Sequence, residues 1–438
     1  MVSLSSELKK DAANVVCVVQ PVGYEIESLV RLFNQYRQRD TKGYAIESLW
    51  KFLLLTEIAN ATVEQLRERP IWVELEAEEE HLIELLEIDQ SILSGDFAVR
   101  LERCVSTLLQ TPQSTSVEQQ RKGISEGLHE NLLKTLRTAL GDVLSKRKRA
   151  AILIDNLDKA WIKEADITQL SPFLLGLFVA ANRLSTDFAR QDSRRKHVNC
   201  TAAIFLRSDI FNKVIESARE PDKLAVTRLA WNDQEMLSLV VEKRFLNAHP
   251  EASSGAELWT RYFCAVVKQS TAREDILSRI LPRPRDVVYF VKNAVSIAVN
   301  RGHTRVEEED VLGAEKEYSK YALDSIMVEN SLSLPQLENV LYEFVGCPVI
   351  LTEQQVRGFF SRAHIPVEKH DAVTSHLIGL SFLGMEVERD SFVYMDEPRD
   401  VKKNLVLANR LSEQENRRRY QVHAAFRAYL EMDEGEGT

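Results

Sequence analysis

No run in this chain approaches the ~18–20 consecutive apolar residues of a membrane-spanning helix. The opening "MVSLSSELKK" lacks the basic segment followed by an apolar one that marks a secretory leader. The five cysteines (Cys17, Cys104, Cys200, Cys264 and Cys347) lie far apart and form no C-x-x-C pair. That spacing excludes a disulfide framework and a zinc ribbon, and fits reduced thiols in a cytoplasmic protein. The histidines do not gather at metal-ligand spacing, and no serine carries a nucleophile-turn signal. A net charge of −10 disfavours a protein that coats nucleic acid by charge alone, although a local basic face stays open. One further absence matters most. A glycine-rich loop that wraps phosphates reads G-x-x-x-x-G-K-[ST], and no such run exists. Gly95, Gly123, Gly127 and Gly141 have no Gly-Lys-Ser/Thr after them.

What is present is ample for folding. A length of 438 residues predicts two or three domains, and 44% hydrophobic with 28% charged residues predicts a globular protein with a real core. "NVVCVVQPVGYEI", from Asn14, reads as a buried strand stopped by Pro21 and Gly23. Helical periodicity follows through "IESLVRLFNQYRQ" and "AIESLWKFLLLTEIANA". "ELEAEEEHLIELLEID" puts acids on one helix face and Leu82, Leu85, Leu86 and Ile88 on the other. The acid face is either solvated surface or a docking face for a basic partner. Residues 111–120 read as a polar loop. A long amphipathic helix follows through "LLKTLRTALGDVLSKRKR"; its basic end, Lys146–Arg149, suits either the helix dipole or a phosphate.

Three apolar runs come next: "AAILID" (150–155), "CTAAIFLR" (200–207) and "KLAVTRLAW" (223–231). Mostly helical segments separate them, which predicts a parallel sheet covered on both sides. "NDQEMLSLVVEKRF" opens a helix with Asn232 and Glu235 at capping-box spacing. The pattern stays helical to about Tyr321, with Pro284 where the first turn of a helix tolerates proline. The last hundred residues change character. Short helices over "LPQLENVLYEF", "LTEQQVRGFFSRA" and "DAVTSHLIGLSFLGMEV" lead to a strand and turn at "DSFVYMDE". "RRRYQVHAAFRAYLE" adds a strand and helix, and the set predicts a winged-helix-like module.

The chemistry concentrates at "AAILIDNLD". Asp155 stands at the carboxyl end of a predicted buried strand, where open α/β sheets bind ligands. A carboxylate there can hold magnesium through water. Asp158, three residues on, can polarise an attacking water. Otherwise both acids merely cap the next turn. "AAIFLRSDIF" ends likewise in charge, and Arg207 there can neutralise charge developing on a transferred phosphoryl group, or pair with Asp209. Arg283 and Arg285 begin a helix in the all-helical segment; Arg285, before Asp286, can reach a bound nucleotide or pair with an acid. Arg228 in "TRLAW" can serve a neighbouring subunit as an arginine finger.

In this order "AILIDNLDKAW", "AAIFLRSDIF", "RLAWND", "LPRPRDVVYFVKNAV" and "YQVHAAFRAYLE" resemble a group of bacterial P-loop ATPases related to the AAA+ and STAND ATPases, many of them encoded near phage-defence genes. The resemblance covers nearly the whole chain, from about Asn14 to Glu431. It implies an ASCE-type P-loop NTPase: an α/β, three-layer parallel sheet, then an all-α lid and a winged-helix-like domain, over residues 1–231, 232–325 and 326–438. It implies ATP and magnesium as cofactors. Asp155 becomes the Walker B acid, Asp158 a second acid near the site, Arg207 the sensor of the next strand and Arg285 the sensor of the lid. Where AAA+ proteins commonly place glutamate after the Walker B aspartate, this chain has Asn156.

Against that template the sheet is incomplete. The strand that feeds the phosphate loop should lie centrally, between the sensor strand and the last strand. "SLSSELKKDAAN" looks like the tail of the helix that follows the loop. The expectation is therefore a natural protein with a longer N-terminus, tested by an in-frame Gly-Lys-Ser/Thr loop upstream of codon 1. The alternative is a pseudo-ATPase scaffold that closes its sheet otherwise. The expected partners are further copies of itself or an effector protein. Nucleic acid, reached through Arg417–Arg419 of the C-terminal domain, is a further option, although acids outnumber bases there.

Overall fold

A computed structural model describes residues 1–20, 26–36, 39–88, 90–93, 95–110, 116–157, 164–189, 197–207, 231–330, 336–394 and 401–433. Between 207 and 231 it describes residues 210–211, 214–215, 218, 224, 226–227 and 229. The chain divides into two compact units, Met1–Thr227 and Arg228–Thr438.

The first unit is mixed α/β and mostly helical. Its strands are β1 (Asn14–Val19), β2 (Arg149–Ile154) and β3 (Cys200–Ile204). They form a parallel sheet in the order β1-β2-β3. Register pairs Val19 with Ile154 and Ile154 with Ile204, so all three carboxyl ends share one edge. The helices are α1 (Val2–Lys9), α2 (Ile26–Gln35), α3 (Arg39–Arg67), α4 (Ala77–Ile88), α5 (Gln90–Leu93), α6 (Phe97–Gln110), α7 (Val117–Gly127), α8 (Glu130–Leu144) and α9 (Glu164–Ala189).

The core lies between the sheet and the long helices. In α3, Leu49, Trp50, Leu53 and Leu54 are fully buried, which is the i, i+3, i+4 face that a packed helix needs. Trp50 stacks on Phe173 of α9, with ring centroids 4.5 Å apart, and donates its indole N–H to the Phe173 carbonyl at 2.7 Å. α9 comes this close because Gly176 faces Ile46: a Cβ there would stand 2.3 Å from Ile46 Cγ2. β2, the middle strand, is buried from Ala150 to Ile154, as a strand with neighbours on both sides should be.

β3 differs. None of its five residues is fully buried, and β2 is its sole strand neighbour among the described residues. Ala150 N–H bonds the Asn199 carbonyl and Phe205 N–H bonds the Ile154 carbonyl, so the odd-numbered residues of β3 face β2. Parallel pairing alternates, which leaves the N–H and C=O groups of Cys200, Ala202 and Ile204 aimed at the other edge. The third predicted strand, 223–231, falls partly outside the described residues. Those described within it, 224, 226–227, 229 and 231, are not in a strand.

The second unit begins with helices α10 (Gln234–Ala248), α11 (Glu257–Tyr262), α12 (Ala272–Arg279), α13 (Pro284–Arg301) and α14 (Glu308–Asn330). A two-residue hairpin, β4 (Val266–Val267) with β5 (Ser270–Thr271), interrupts the predicted all-helical stretch. The start of α10 corrects the sequence reading by one residue. Asp233, not Asn232, is the cap, and its carboxylate accepts from Glu235 N–H at 2.9 Å. α12 starts in a full capping box between Thr271 and Glu274, and α13 has Pro284 in its first turn and left-handed Gly302 at its end.

The rest of this unit carries α15 (Leu337–Tyr342), β6 (Ile350–Thr352), α16 (Glu353–Arg362), α17 (His370–Gly379), β7 (Leu383–Glu388), β8 (Ser391–Val393), α18 (Val401–Glu415), β9 (Arg419–Val422) and α19 (Ala424–Arg427). The strands form an antiparallel sheet in the order β6-β9-β7-β8. Two elements depart from the sequence reading. "SFLGMEV", taken as helix, supplies β7, and α18 had no counterpart.

Candidate functional site at the carboxyl edge of the parallel sheet

Asp155 leaves the end of β2. Its N–H still bonds the Val19 carbonyl at 2.9 Å, so the β1–β2 ladder carries it one residue past the strand. It is half-buried, and its Oδ1 accepts from Asn156 N–H at 2.8 Å. Asn156 has φ 64, in the left-handed region. Asparagine tolerates that region several-fold better than most side chains. The backbone thus gives a physical reason for Asn156 where the resemblance places glutamate: the residue turns the chain sharply out of the sheet. Leu157 then returns to the core, fully buried.

Arg207 lies on the same edge, three residues past Ile204, and is exposed. Its carbonyl accepts from Phe211 N–H at 3.0 Å. Register puts both on the carboxyl edge of the sheet, Asp155 one residue past Ile154 and Arg207 three past its partner Ile204. Asp158, Asp209 and Arg228 lie outside the described residues.

Arg285 belongs to the second unit. It occupies the second position of α13, half-exposed, with Nε 3.5 Å from Asp286 Oδ1. Asp286 is buried and receives the Tyr318 hydroxyl at 3.1 Å, while that hydroxyl accepts from Leu281 N–H at 2.9 Å. The pairing of Arg285 with an adjacent acid, open in the sequence, is realised here. The Tyr318–Asp286 bond anchors the start of α13 to α14.

Two charge constellations were read without their partners. The acid run of α4 has its basic partner within the same unit. Lys146 pairs with Glu76 at 2.5 Å and with Glu78 at 2.8 Å, and Arg147 pairs with buried Glu79, which Arg69 also grips at 3.0 Å. Lys148 meets Asp11 at 2.8 Å. The cations follow the end of α8 rather than forming its last turn. Likewise Arg419 is nearly buried against Glu386 and Asp390, Arg418 bonds Asn409 at 2.5 Å and Arg417 pairs with Glu415 at 3.1 Å. Of the basic cluster proposed for nucleic acid, Arg419 thus ties β9 to the β7–β8 hairpin, and Arg417 and Arg418 bond residues of α18.

A buried ion pair escaped the sequence entirely. Glu57 of α3 and Arg100 of α6 meet in a wall of a cavity of about 570 Å³ on the β1 side of the sheet. Arg100 also donates to the carbonyls of Leu93, at 3.2 Å, and Gly95, at 2.6 Å. Burial pushes the Glu57 carboxyl above its ordinary range, and Arg100 pulls it only part of the way back. Neither Asp155 nor Arg207 lines this cavity.

Among the described residues, no group of three or more His, Cys, Asp or Glu side chains is placed to hold a metal ion. That excludes an all-protein metal cage there. It leaves open a magnesium ion that keeps its waters and takes one carboxylate plus phosphate oxygens, since Asp155 retains free lone pairs. No described helix is long and apolar enough to cross a membrane.

Residues 234–327, from the start of α10 into α14, match the FunZ-associated C-terminal helical domain. No curated protein matches the chain in sequence. Among solved structures, a RuvB variant from Thermotoga maritima aligns at 12% identity over 64% of this chain and 81% of that one, with a TM-score of 0.25. A score that low carries no argument about this fold.

Proposed function

We propose that this chain is an AAA+- or STAND-like ATPase, a nucleotide-dependent switch or motor that works with further copies or an effector protein. The observation that carries the reading is the parallel β1-β2-β3 sheet with Asp155 leaving its buried middle strand and Arg207 on the next. On this reading Asp155 orients the waters of a magnesium ion bound to ATP, and Arg207 faces the phosphates. Asp158 polarises the attacking water, Arg285 senses nucleotide from a helical lid, and Arg228 reaches a neighbouring subunit. The C-terminal sheet and helices form a winged-helix-like domain, and the role lies in bacterial defence or regulation.

The open edge of β3 has a place in this reading. Among the described residues, Cys200, Ala202 and Ile204 have no strand partner on that edge, and each backbone group costs roughly 1–3 kcal/mol if buried without partners. A strand carrying a glycine-rich phosphate loop fits there, and α1 is the helix that such a loop would enter. ATP binding by these residues alone is then weak. Fusing a strand and G-x-x-x-x-G-K-[ST] loop ahead of α1 raises it. In that fusion Asp155→Ala removes the magnesium-dependent part, roughly 10–100-fold, as loss of a metal-orienting group does. Equilibrium titration with and without magnesium checks this. Tight magnesium-dependent binding by the unextended chain, or an Asp155→Ala fusion that binds unchanged, contradicts the reading.

A further inference from the structure

Two surfaces play no part in the site above. The first is the turn between α3 and α4, "PIWVELE". Val73 N–H bonds the Pro70 carbonyl at 2.9 Å and holds Ile71 and Trp72 at the tip. Ile71 is fully exposed and Trp72 is 84% exposed. Val73 and Leu75 are exposed beside them, and acids alternate through the segment. Glu74 makes no ion pair among the described residues. A single exposed leucine means nothing, but an exposed Ile-Trp-Val tip on a hydrogen-bonded turn is an apolar patch of the kind that marks contact sites.

The second is a groove of about 510 Å³ between α10 and α13. Its wall is apolar, with Phe245, Val295 and Val299, the last 67% exposed. Its rim is basic, with Arg244, Lys292 and Arg305, and no acid among the described residues lines it. Arg244 and Lys292 are exposed and make no ion pair among the described residues. The groove therefore asks for an apolar segment with carboxylates beside it. The 71–76 turn has that composition.

We infer that the Ile71–Leu75 turn of one copy seats in the α10–α13 groove of a second copy, with Trp72 against Phe245 and Val299 and with Glu74 toward the basic rim. Turn and groove are different surfaces of one chain. The contact is thus heterologous, each added copy leaving a turn and a groove free for the next. This inference stands without the nucleotide reading.

Complementation tests it. Trp72→Ala spoils the turn and Val299→Glu spoils the groove, both at exposed positions that the fold tolerates. In sedimentation velocity the unaltered chain associates as its concentration rises, and each variant alone associates at least about tenfold more weakly, as loss of a central aromatic anchor does. An equimolar mixture restores one good turn and one good groove, so it forms two-chain species and nothing larger. An unaltered chain that stays single up to about 100 μM, variants that associate like it, or a mixture that stays single would each overturn the inference.

Discussion

Arg100→Met destabilises the first unit by about 3–5 kcal/mol at neutral pH, the usual result of stripping one partner from a buried ion pair. Arg100 is 1% exposed, and it is the cation facing the buried Glu57 carboxylate. Its loss also leaves the Gly95 carbonyl without that donor, whereas the Leu93 carbonyl keeps Asn60 at 3.3 Å. The pH dependence follows from Glu57. Burial raises its folded-state pKa above the unfolded value, so the protonated form is the one that folding favours. Its contribution is complete below the unfolded pKa and is lost as pH rises through the folded one. Removing Arg100 moves the folded pKa higher still. The deficit of Arg100→Met is therefore largest at neutral pH and shrinks as pH falls through the raised folded-state pKa values, until Glu57 is protonated in both proteins. Glu57→Met combined with Arg100→Met recovers most of the loss, because an apolar pair of similar size needs no compensating charge. Urea unfolding at pH 7 and pH 4 measures all of this. An equal deficit at both values would remove Glu57 from the explanation.

Trp50→Ala costs about 3–5 kcal/mol by a different route, cavity formation. The indole is fully buried, stacked on Phe173, 6.0 Å from Phe97 and beside Gly176. Trp50→Phe separates the packing from the hydrogen bond. It keeps most of the ring volume and loses the 2.7 Å bond to Phe173, which should cost about 1 kcal/mol beyond the small volume change. Thermal unfolding distinguishes the two variants. A Trp50→Ala loss no greater than that of Trp50→Phe would mean that the α3–α9 contact is not the keystone of this unit.

The strands of the first unit were legible because buried parallel strands read as short β-branched runs. "NVVCVV" became β1 as predicted, and "AAILID" and "CTAAIFLR" located β2 and β3 within three residues of their ends. Asp155 was legible for the same reason, as a charge at the end of such a run. "SFLGMEV" was misread because its apolar residues continue those of α17, and the short turn between them, at Leu380 and left-handed Ser381, carries an apolar residue that keeps the helical pattern running. α18 was missed because its exposed face carries Leu405 and Val406, which blurs the amphipathic pattern. Ion pairs such as Glu57–Arg100 and Glu79–Arg147 join residues remote in sequence, and nothing local announces them. Both clusters first read as possible binding faces, the α4 acids and Arg417–Arg419, turned out to hold partners inside their own units. A run of charge reports a need for compensation and leaves open who supplies it.

The central claim is that Asp155 orients a metal–nucleotide complex at the carboxyl edge of the parallel sheet. Manganese takes the same oxygen ligands as magnesium and broadens nearby methyl resonances, so the test works even where binding is weak. With methyl-labelled isoleucines and excess Mn·ATP, the account predicts broadening that is strongest at Ile154 and Ile204, the last strand residues before Asp155 and Arg207, and its disappearance in Asp155→Asn. Broadening that survives Asp155→Asn unchanged, or that centres on the β6-β9-β7-β8 sheet instead, would contradict it.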